Sequence, residues 1–247
     1  MSTILASRRA GDQIAIPGDY QYRSYHGGWA AQRYWHHAKF AEAARWLTPA
    51  AADVVLDAGC GSGVLADRLA ADPNTRVLGI DANAAAIEFA QQKFRRPNLE
   101  FRLGFLHELE LPDESIDKIA FLEVIEHLHV EQARIVLSAF RRLLRPGGRL
   151  VITTPNERSL WPVIEWTLDR LRLVPHLADD QHVALYDSRS LVQLGESLGF
   201  RCVTMRTLNL LAPWIATLSW RLAETMHRLE QSRPHLYGSL LLAIFQK

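Results

Sequence analysis

The sequence predicts an α/β fold built on a doubly wound, mostly parallel sheet of seven strands, with an antiparallel C-terminal strand and helical cap elements. Apolar runs of strand length alternate with helical patterns between residues 53 and 154. This alternation is typical of right-handed crossovers that place helices on both faces of a parallel sheet. A glycine-rich turn joins the first run to a helix, and two late strand patterns separated by a helical stretch predict an antiparallel hairpin that closes the sheet edge.

The predicted elements follow one another along the chain. A helical pattern over residues 29–47 ends at Thr48-Pro49. The alternating region has strands at 53–58, 75–80, 98–103, 116–122 and 149–154, with helices at 63–71, 83–95 and 131–144. The late region has helices at 160–173, 188–198 and 213–229, and strands at 201–208 and 236–245. We expect residues 1–48 to form an N-terminal lid segment and helix, and residues 49–247 to form one domain with cap insertions near 157–180 and 209–232.

Composition limits the classes of function. The chain has 247 residues, 48% of them hydrophobic, which is enough for one full core. A net charge of +1 provides no long-range attraction for nucleic acid, and two cysteines offer no disulfide framework. Residues 1–15 lack the apolar stretch of an export signal, and the most apolar later stretch, 208–220, is too short to span a membrane. We therefore expect a cytoplasmic protein, with peripheral membrane contact left open.

The turn after the first strand has the pattern of a nucleotide cradle. Gly59, Gly61 and Gly63 separate the buried strand from the next helix, and glycine permits positive φ and close approach of a ligand to backbone N–H groups. Asp81 follows the second strand, where a carboxylate can accept both hydroxyls of a ribose. A dinucleotide site would need a further glycine at 64 or 66, where this chain has Val64 and Ala66.

These segments resemble the class I S-adenosylmethionine-dependent methyltransferases, in the small-molecule branch. The resemblance covers about residues 50–205 and rests on Asp57 to Gly63, Gly79-Ile80-Asp81 and Leu143 to Gly148. It implies a Rossmann-like methyltransferase domain over residues 49–247, with S-adenosyl-L-methionine as its cofactor. The cofactor-binding residues that it implies, together with their neighbours in the loops, are Asp57, Gly59, Cys60, Gly61, Gly63, Asp81, Ala82, Gly104, Phe105, Leu106 and Leu122.

One departure from the family pattern concerns the adenine. Many relatives have Gly-Asp after the third strand, whereas this chain has Gly104-Phe105-Leu106. Phe105 either stacks on the purine or belongs to the core. Glu108 is a distant substitute for the missing acid.

The segment after the fourth strand concentrates groups that carry chemistry. Glu123, Glu126 and His127 would share one face if the segment were helical, and together they could supply two oxygens and a nitrogen to a divalent cation. His182 is the candidate fourth ligand and His176 the second choice. Mg²⁺ is the first choice of metal, with Mn²⁺, Fe²⁺ or Zn²⁺ also compatible. The alternative is that the Glu-His pair only caps the segment.

Two sub-branches of the family have a similar Glu-x-x-Glu-His segment. They are the ubiquinone-biosynthesis O-methyltransferases and the small-RNA 3′-terminal 2′-O-methyltransferases, and the resemblance implies metal-assisted methylation of a hydroxyl. We name Glu123, Glu126, His127 and His182 as candidate catalytic residues. Without a metal, either histidine could act as general base.

The sequence-based hypothesis is O-methylation of a small, partly hydrophobic acceptor such as a quinone precursor, lipid, glycan or secondary metabolite. One alternative is an RNA 2′-O-methyltransferase, which the near-neutral charge disfavours. Another is a protein that binds the cofactor without catalysis. The aromatic-rich segments 20–29 and 33–37 are candidates for a lid. The amphipathic helices predicted at 160–173 and 213–229 either pack on the protein or form a cover that contacts a lipophilic substrate or a membrane surface.

Overall fold

The computed structural model of this protein describes residues 17–159, 183–232 and 237–247. Its centre is one seven-stranded sheet with the strand order β3-β2-β1-β4-β5-β7-β6. The strands are β1 Val54–Ala58, β2 Arg76–Asp81, β3 Leu99–Leu103, β4 Ile116–Leu122, β5 Leu144–Pro155, β6 Arg201–Leu208 and β7 Leu240–Gln246. The helices described are α1 Tyr20–His26, α2 Ala30–Leu47, α3 Val64–Leu69, α4 Ala84–Lys93, α5 Val130–Leu143, α6 Ser188–Ser197, α7 Ala212–Ile215 and α8 Trp220–Ser232.

The sheet confirms the predicted fold class. Strands β1 to β5 pair in parallel, and β7 pairs antiparallel with both β5 and β6. The predicted hairpin therefore exists, but β7 lies inside the sheet and β6 forms the edge. Parallel pairing brings the carboxyl ends of β1, β2, β4 and β5 to one side of the sheet, which is where ligands bind in such folds.

Two apolar layers cover the sheet. On one face, α2, α3 and α4 contribute buried side chains such as Phe40, Leu65 and Ile87. On the other face, α5 and α6 contribute Phe140 and Leu191. The burial of Val55 and Leu56 in β1, and of residues 119–122 in β4, between these layers explains the apolar runs at those positions.

The predicted late helix 213–229 is wrong as a single element. It is two helices, because α7 ends at Ile215 and the backbone turns before α8. Ser219 starts the second helix by accepting the N–H of Ala223 on its carbonyl and that of Leu222 on its hydroxyl. The helix predicted at 160–173 lies outside the described residues. No helix of the described ranges is both long and apolar enough to cross a membrane.

Candidate cofactor and active site

The turn between β1 and α3 forms a glycine cradle. Gly59, Gly61 and Gly63 have φ angles of 78°, 51° and 82°, in the left-handed region that favours glycine. A Cβ on Gly59 would lie 2.3 Å from Cγ2 of Val124, and one on Gly63 would lie 2.6 Å from the ring of Phe101. Both contacts are shorter than van der Waals separation, so the sequence of the turn is fixed by packing as well as by backbone angle.

Asp81, at the end of β2, holds the cradle in shape. Its Oδ2 accepts the N–H of Gly61 at 2.8 Å, and its Oδ1 accepts the N–H of Asn83 at 2.8 Å. Burial raises the pKa of Asp81, and these backbone hydrogen bonds oppose that rise. Each carboxylate oxygen retains a lone pair, so Asp81 can still accept hydrogen bonds from a ribose.

Asp57, at the end of β1, is a buried carboxyl with one unpaired oxygen. The residue is 3% exposed, and its Oδ2 has no hydrogen-bond partner. Burial, reinforced by the nearby charge of Asp81, raises the pKa of Asp57 to about 7. An unpaired buried carboxyl beside a glycine cradle is suited to a cationic group of a ligand, which would satisfy the oxygen and restore the charge.

Glu123 and Glu126 turn inward after β4. Glu123 has a φ of 56°, a strained value for glutamate, and its Oε1 accepts a hydrogen bond from the Thr153 hydroxyl at 3.0 Å. Glu126 lies in a short 3₁₀ turn, and its Oε2 accepts the Thr154 hydroxyl at 3.0 Å. Burial and the charge of Glu123 raise the pKa of Glu126 well above its usual value. Burial also raises the pKa of Glu123, while Lys39 opposes the rise.

Lys39 is the residue of this site that the sequence analysis missed. It is 2% exposed, and Asp57, Glu123 and Glu126 all act on it electrostatically. Its Nζ lies 4.3 Å from the centroid of the Trp35 ring, a cation–π contact, and burial lowers the pKa of Lys39. Lys39 thus places a positive charge beside the acids for which the sequence analysis proposed a metal ion.

The structure does not support the predicted metal site. Within residues 17–159, 183–232 and 237–247, no group of three or more His, Cys, Asp or Glu side chains could hold a metal ion. The segment after β4 forms a 3₁₀ turn rather than an α-helix, so Glu123, Glu126 and His127 do not share a helical face. His182 and His176 lie outside the described residues.

Tyr186 is a second residue near the acids that the sequence did not indicate. Its hydroxyl is buried without a hydrogen-bond partner, and burial together with the charge of Glu126 raises the Tyr186 pKa. The preceding residues Val183 and Ala184 both donate their N–H groups to the carbonyl of Glu126, at 2.9 and 3.1 Å. A tyrosine has no local sequence pattern that would place it here, because only tertiary contacts bring this segment to β4.

Comparison with known proteins agrees with this geometry. Residues 55–148 match a family model described as a methyltransferase domain. A probable S-adenosylmethionine-dependent methyltransferase from Mycolicibacterium smegmatis is 36% identical over 173 residues, which are 70% of this chain and 62% of the relative. The matched region is thus a methyltransferase domain, and the chain resembles the class I S-adenosylmethionine-dependent methyltransferases.

Solved structures share the fold of this chain. A methyltransferase from Archaeoglobus fulgidus aligns with a TM-score of 0.63 at 21% identity, covering 87% of this chain and 94% of that one. An N-methyltransferase from Bradyrhizobium japonicum in complex with S-adenosyl-l-homocysteine aligns with a TM-score of 0.60 at 18% identity, covering 100% and 99% of the two chains. The chain spans 62% and 31% of the first two curated relatives, so it corresponds to part of their length.

A further relative concerns the type of acceptor. The mitochondrial ubiquinone biosynthesis O-methyltransferase of Schizosaccharomyces pombe is 35% identical over 128 residues, covering 49% of this chain and 45% of the relative.

The other predicted cofactor-contact residues occupy the same edge of the sheet. Cys60 is buried, and burial raises its pKa well above the usual value, which agrees with a small packing residue rather than a nucleophile. Leu106 and Leu122 are buried, and Ala82 and Gly104 flank the ends of β2 and β3. The Phe105 side chain is 36% exposed, so the core alternative is wrong and its ring remains accessible to a purine.

Helix α1 lies over the glycine cradle. The side-chain amide of Gln21 lies 3.4 Å from where a Cβ of Gly61 would be, and the Gln21 Oε1 is buried without a partner. Gly18 packs against the carbonyl of Ala85 so closely that a Cβ would lie 2.3 Å from its oxygen. The N-terminal segment is thus in the position expected of a lid.

Proposed function

We propose that this protein transfers a methyl group from S-adenosyl-L-methionine to a hydroxyl oxygen of a small, partly hydrophobic acceptor. Quinone precursors, lipids, glycans and secondary metabolites are the acceptor classes to test. The observation that carries the proposal is the buried acid pair Glu123 and Glu126, balanced by Lys39, at the end of β4 beside the glycine cradle. The similarity to the yeast ubiquinone-biosynthesis enzyme supports oxygen as the methylated atom.

The residues of the cradle fit the cofactor group by group. Asp81 would accept the ribose hydroxyls. The unpaired Oδ2 of Asp57 would accept the methionine ammonium, and the Lys39 ammonium would pair with the methionine carboxylate. When bound, the cofactor supplies an electrophilic methyl on a sulfonium, so the protein needs mainly to align the acceptor and remove its proton.

Glu123 is the proton acceptor in this proposal. Two buried carboxyl groups that interact cannot both ionise easily, and Glu126 has the stronger cause for protonation because the charge of Glu123 adds to its burial. Lys39 favours ionisation of Glu123. The Glu123 carboxylate would take the proton of the acceptor hydroxyl. As it does so, the acceptor oxygen forms a bond to the methyl carbon and the carbon–sulfur bond of the cofactor breaks. His127 and His182 remain candidate bases, and no step requires a metal.

The test is methyl transfer by the Glu123→Gln variant. We expect turnover to fall by at least about 100-fold, as for loss of a general base. Affinity for S-adenosyl-L-homocysteine should stay within about threefold, because Asp57 and Asp81 make the cofactor contacts in this proposal. Radiolabelled cofactor with a panel of phenols, glycans, amines and short RNAs measures the transfer. A matched control is Glu131→Gln, an exposed carboxylate on α5.

The outcomes separate the alternatives. Unchanged turnover in Glu123→Gln would contradict its role as base, and transfer confined to amines would contradict oxygen methylation. Tight cofactor binding without transfer to any acceptor would favour a non-catalytic binding protein, and transfer to short RNA would favour the RNA alternative. A chelator should leave turnover unchanged, because Lys39 provides the charge beside the acids.

A further inference from the structure

A surface cavity lies apart from the acid pair, between α1, α2 and the start of α8. Its volume is about 270 Å³, and it is lined by Tyr25, His26, Arg33, His37 and Trp220. Arg33 and His37 are one helical turn apart on the same side of α2. Lys39 points to a different side of that helix, because a step of two residues rotates the side-chain direction by about 200°. The cavity is therefore distinct from the predicted methyl-transfer site.

The charge around this cavity is positive. No carboxylate of the described residues lies within 4 Å of the Arg33 guanidinium, and the Arg33 Nε is buried without a hydrogen-bond partner. Burial lowers the pKa of His37, the Tyr25 backbone opposes this, and the electrostatic influence of His26, Arg68 and Arg33 lowers the pKa further. Two acidic side chains of α8, Glu224 and Glu230, act electrostatically on Tyr34 of α2. Arg33 lines the cavity, so its guanidinium has no competing carboxylate among the described residues when an anion enters.

Aromatic rings fix the walls of the cavity. The Tyr25 ring stacks on His37 with centroids 3.8 Å apart, and this contact sets the orientation of the imidazole. Trp220 meets the other side of His37 edge-on at 5.3 Å, and the Arg33 guanidinium lies 5.8 Å from the Trp220 ring centroid. Arg33 and His37 are thus held in place before any ligand arrives, which lowers the entropic cost of binding.

We propose that this cavity binds the oxyanion of a phosphate group. Guanidinium forks match the oxygens of phosphate in pairs, and an imidazole adds one further donor. The cavity volume of about 270 Å³ leaves room for a phosphate group. The phosphate could belong to a soluble phosphate ester or to a lipid headgroup. Exposed leucines on either side of Trp220 in the chain, Leu218 and Leu222, make the lipid source a specific case to test. The proposal does not depend on the proposed methyl transfer.

The experiment is calorimetric titration of the whole chain with inorganic phosphate, with chloride at matched ionic strength as the reference. We expect phosphate to bind the wild type, Arg33→Gln to weaken binding by at least about tenfold, and Arg33→Lys to weaken it less because the charge remains. Arg95→Gln removes an exposed arginine that follows α4 and does not line the cavity, and this variant should bind phosphate like the wild type. S-adenosyl-L-homocysteine affinity of each variant reports whether the fold is intact.

A second measurement does not depend on variants. Phosphate should shift the ring resonances of His37 in the wild-type protein and raise the pKa of that imidazole, because the anion stabilises its charged form. Absence of calorimetric binding, a His37 resonance that phosphate does not move, or equal binding by Arg33→Gln would each overturn the proposal.

Vesicles distinguish the two sources of phosphate. Arg33-dependent sedimentation with phosphatidylcholine vesicles that contain phosphatidic acid, but not with phosphatidylcholine alone, would identify a lipid headgroup. Phosphate binding without vesicle association would identify a soluble phosphate ester. Both results support the cavity as a phosphate site.

Discussion

Asp57 shows how a single buried group links the predicted cofactor site to stability. Its pKa is raised to about 7, so the folded protein prefers the protonated carboxyl more strongly than the unfolded chain does. The resulting stabilisation is fully present below the unfolded pKa of 3.8 and is lost as the pH rises through the folded value. A ligand ammonium would reverse the preference, since it favours the ionised form.

The pH dependence of stability tests this reasoning. Between about pH 5 and about pH 7, the free energy of unfolding of the ligand-free wild type should fall by about 2 kcal/mol relative to that of Asp57→Asn, which does not titrate. The contributions of Glu123 and Glu126 to the free energy of unfolding change with pH in the same direction in both proteins. The difference between the two proteins therefore isolates the contribution of Asp57. Urea unfolding at several pH values gives the measurement. A difference in the free energy of unfolding that stays constant across this pH window would contradict a raised pKa for the buried Asp57.

Individual residues also show which parts of the candidate site could be predicted from the sequence and which could not. Asp57, Asp81 and Glu123 could be predicted, because each lies at the carboxyl end of a strand, which must reach the ligand edge. Lys39 could not, because its role arises only when α2 packs over β4 and β5. In the sequence it is one polar residue within a helical pattern. The metal hypothesis was reasonable for two acids and a histidine close in sequence, but it left out a cation supplied by a distant helix.

At the scale of elements, the turn between β1 and α3 depends on one close approach. An alanine at Gly59 would face both the cost of a left-handed φ, roughly 1–2 kcal/mol, and the Val124 methyl at 2.3 Å. We expect Gly59→Ala to weaken S-adenosyl-L-homocysteine binding by at least about tenfold and to lower thermal stability. Calorimetry and thermal unfolding measure the two effects.

Gly147 provides a matched control for that substitution. It has the same φ of 78° as Gly59, but the nearest atom to its Cβ position is 3.7 Å away. Gly147→Ala should therefore show the backbone cost alone. The double variant Gly59→Ala with Val124→Ala should recover part of the lost binding, and no recovery would show that the clash with Val124 is not the cause.

Elements were predicted well where local periodicity determined them and less well where packing did. The strands β1 to β4 begin within one residue of the predicted positions, since each is an apolar run between turn residues. The division between α7 and α8 was missed, because the amphipathic pattern continues across Ser219. The internal position of β7 was also missed. Order within a sheet is decided by pairing, and the sequence of β7 reads like that of any buried strand.

At the scale of the whole molecule, residues 17–26 pack against both α4, beside the predicted cofactor site, and α2 in the helical layer that covers the sheet. Tyr22 contacts Phe89 of α4 with ring centroids 5.3 Å apart, and Tyr25 contacts Phe40 of α2 at 5.6 Å. We propose that residues 17–26 act as a lid that a bound cofactor stabilises. The segment packs on both neighbours of the cradle, so filling the cradle should restrict its opening.

Hydrogen exchange tests the lid. Binding of S-adenosyl-L-homocysteine should slow amide exchange over residues 17–26 by about tenfold or more, whereas α6, on the other face of the sheet, should change little. Equal protection of the two helices would indicate a general gain of stability instead. Unchanged exchange in residues 17–26 would contradict a lid.

The placement of β7 also has a consequence for how the chain is made. This strand separates β5 from β6, and Gln246 on it contacts the carbonyl of Gly147, 99 positions earlier in the chain. During synthesis, β1 to β5 and the glycine cradle leave the ribosome before residues 240–246 exist. Until those residues emerge, β5 has an open edge and β6 has no partner. The nascent protein therefore carries its predicted cofactor cradle before its sheet can close, so cofactor bound to that intermediate could stabilise it against aggregation.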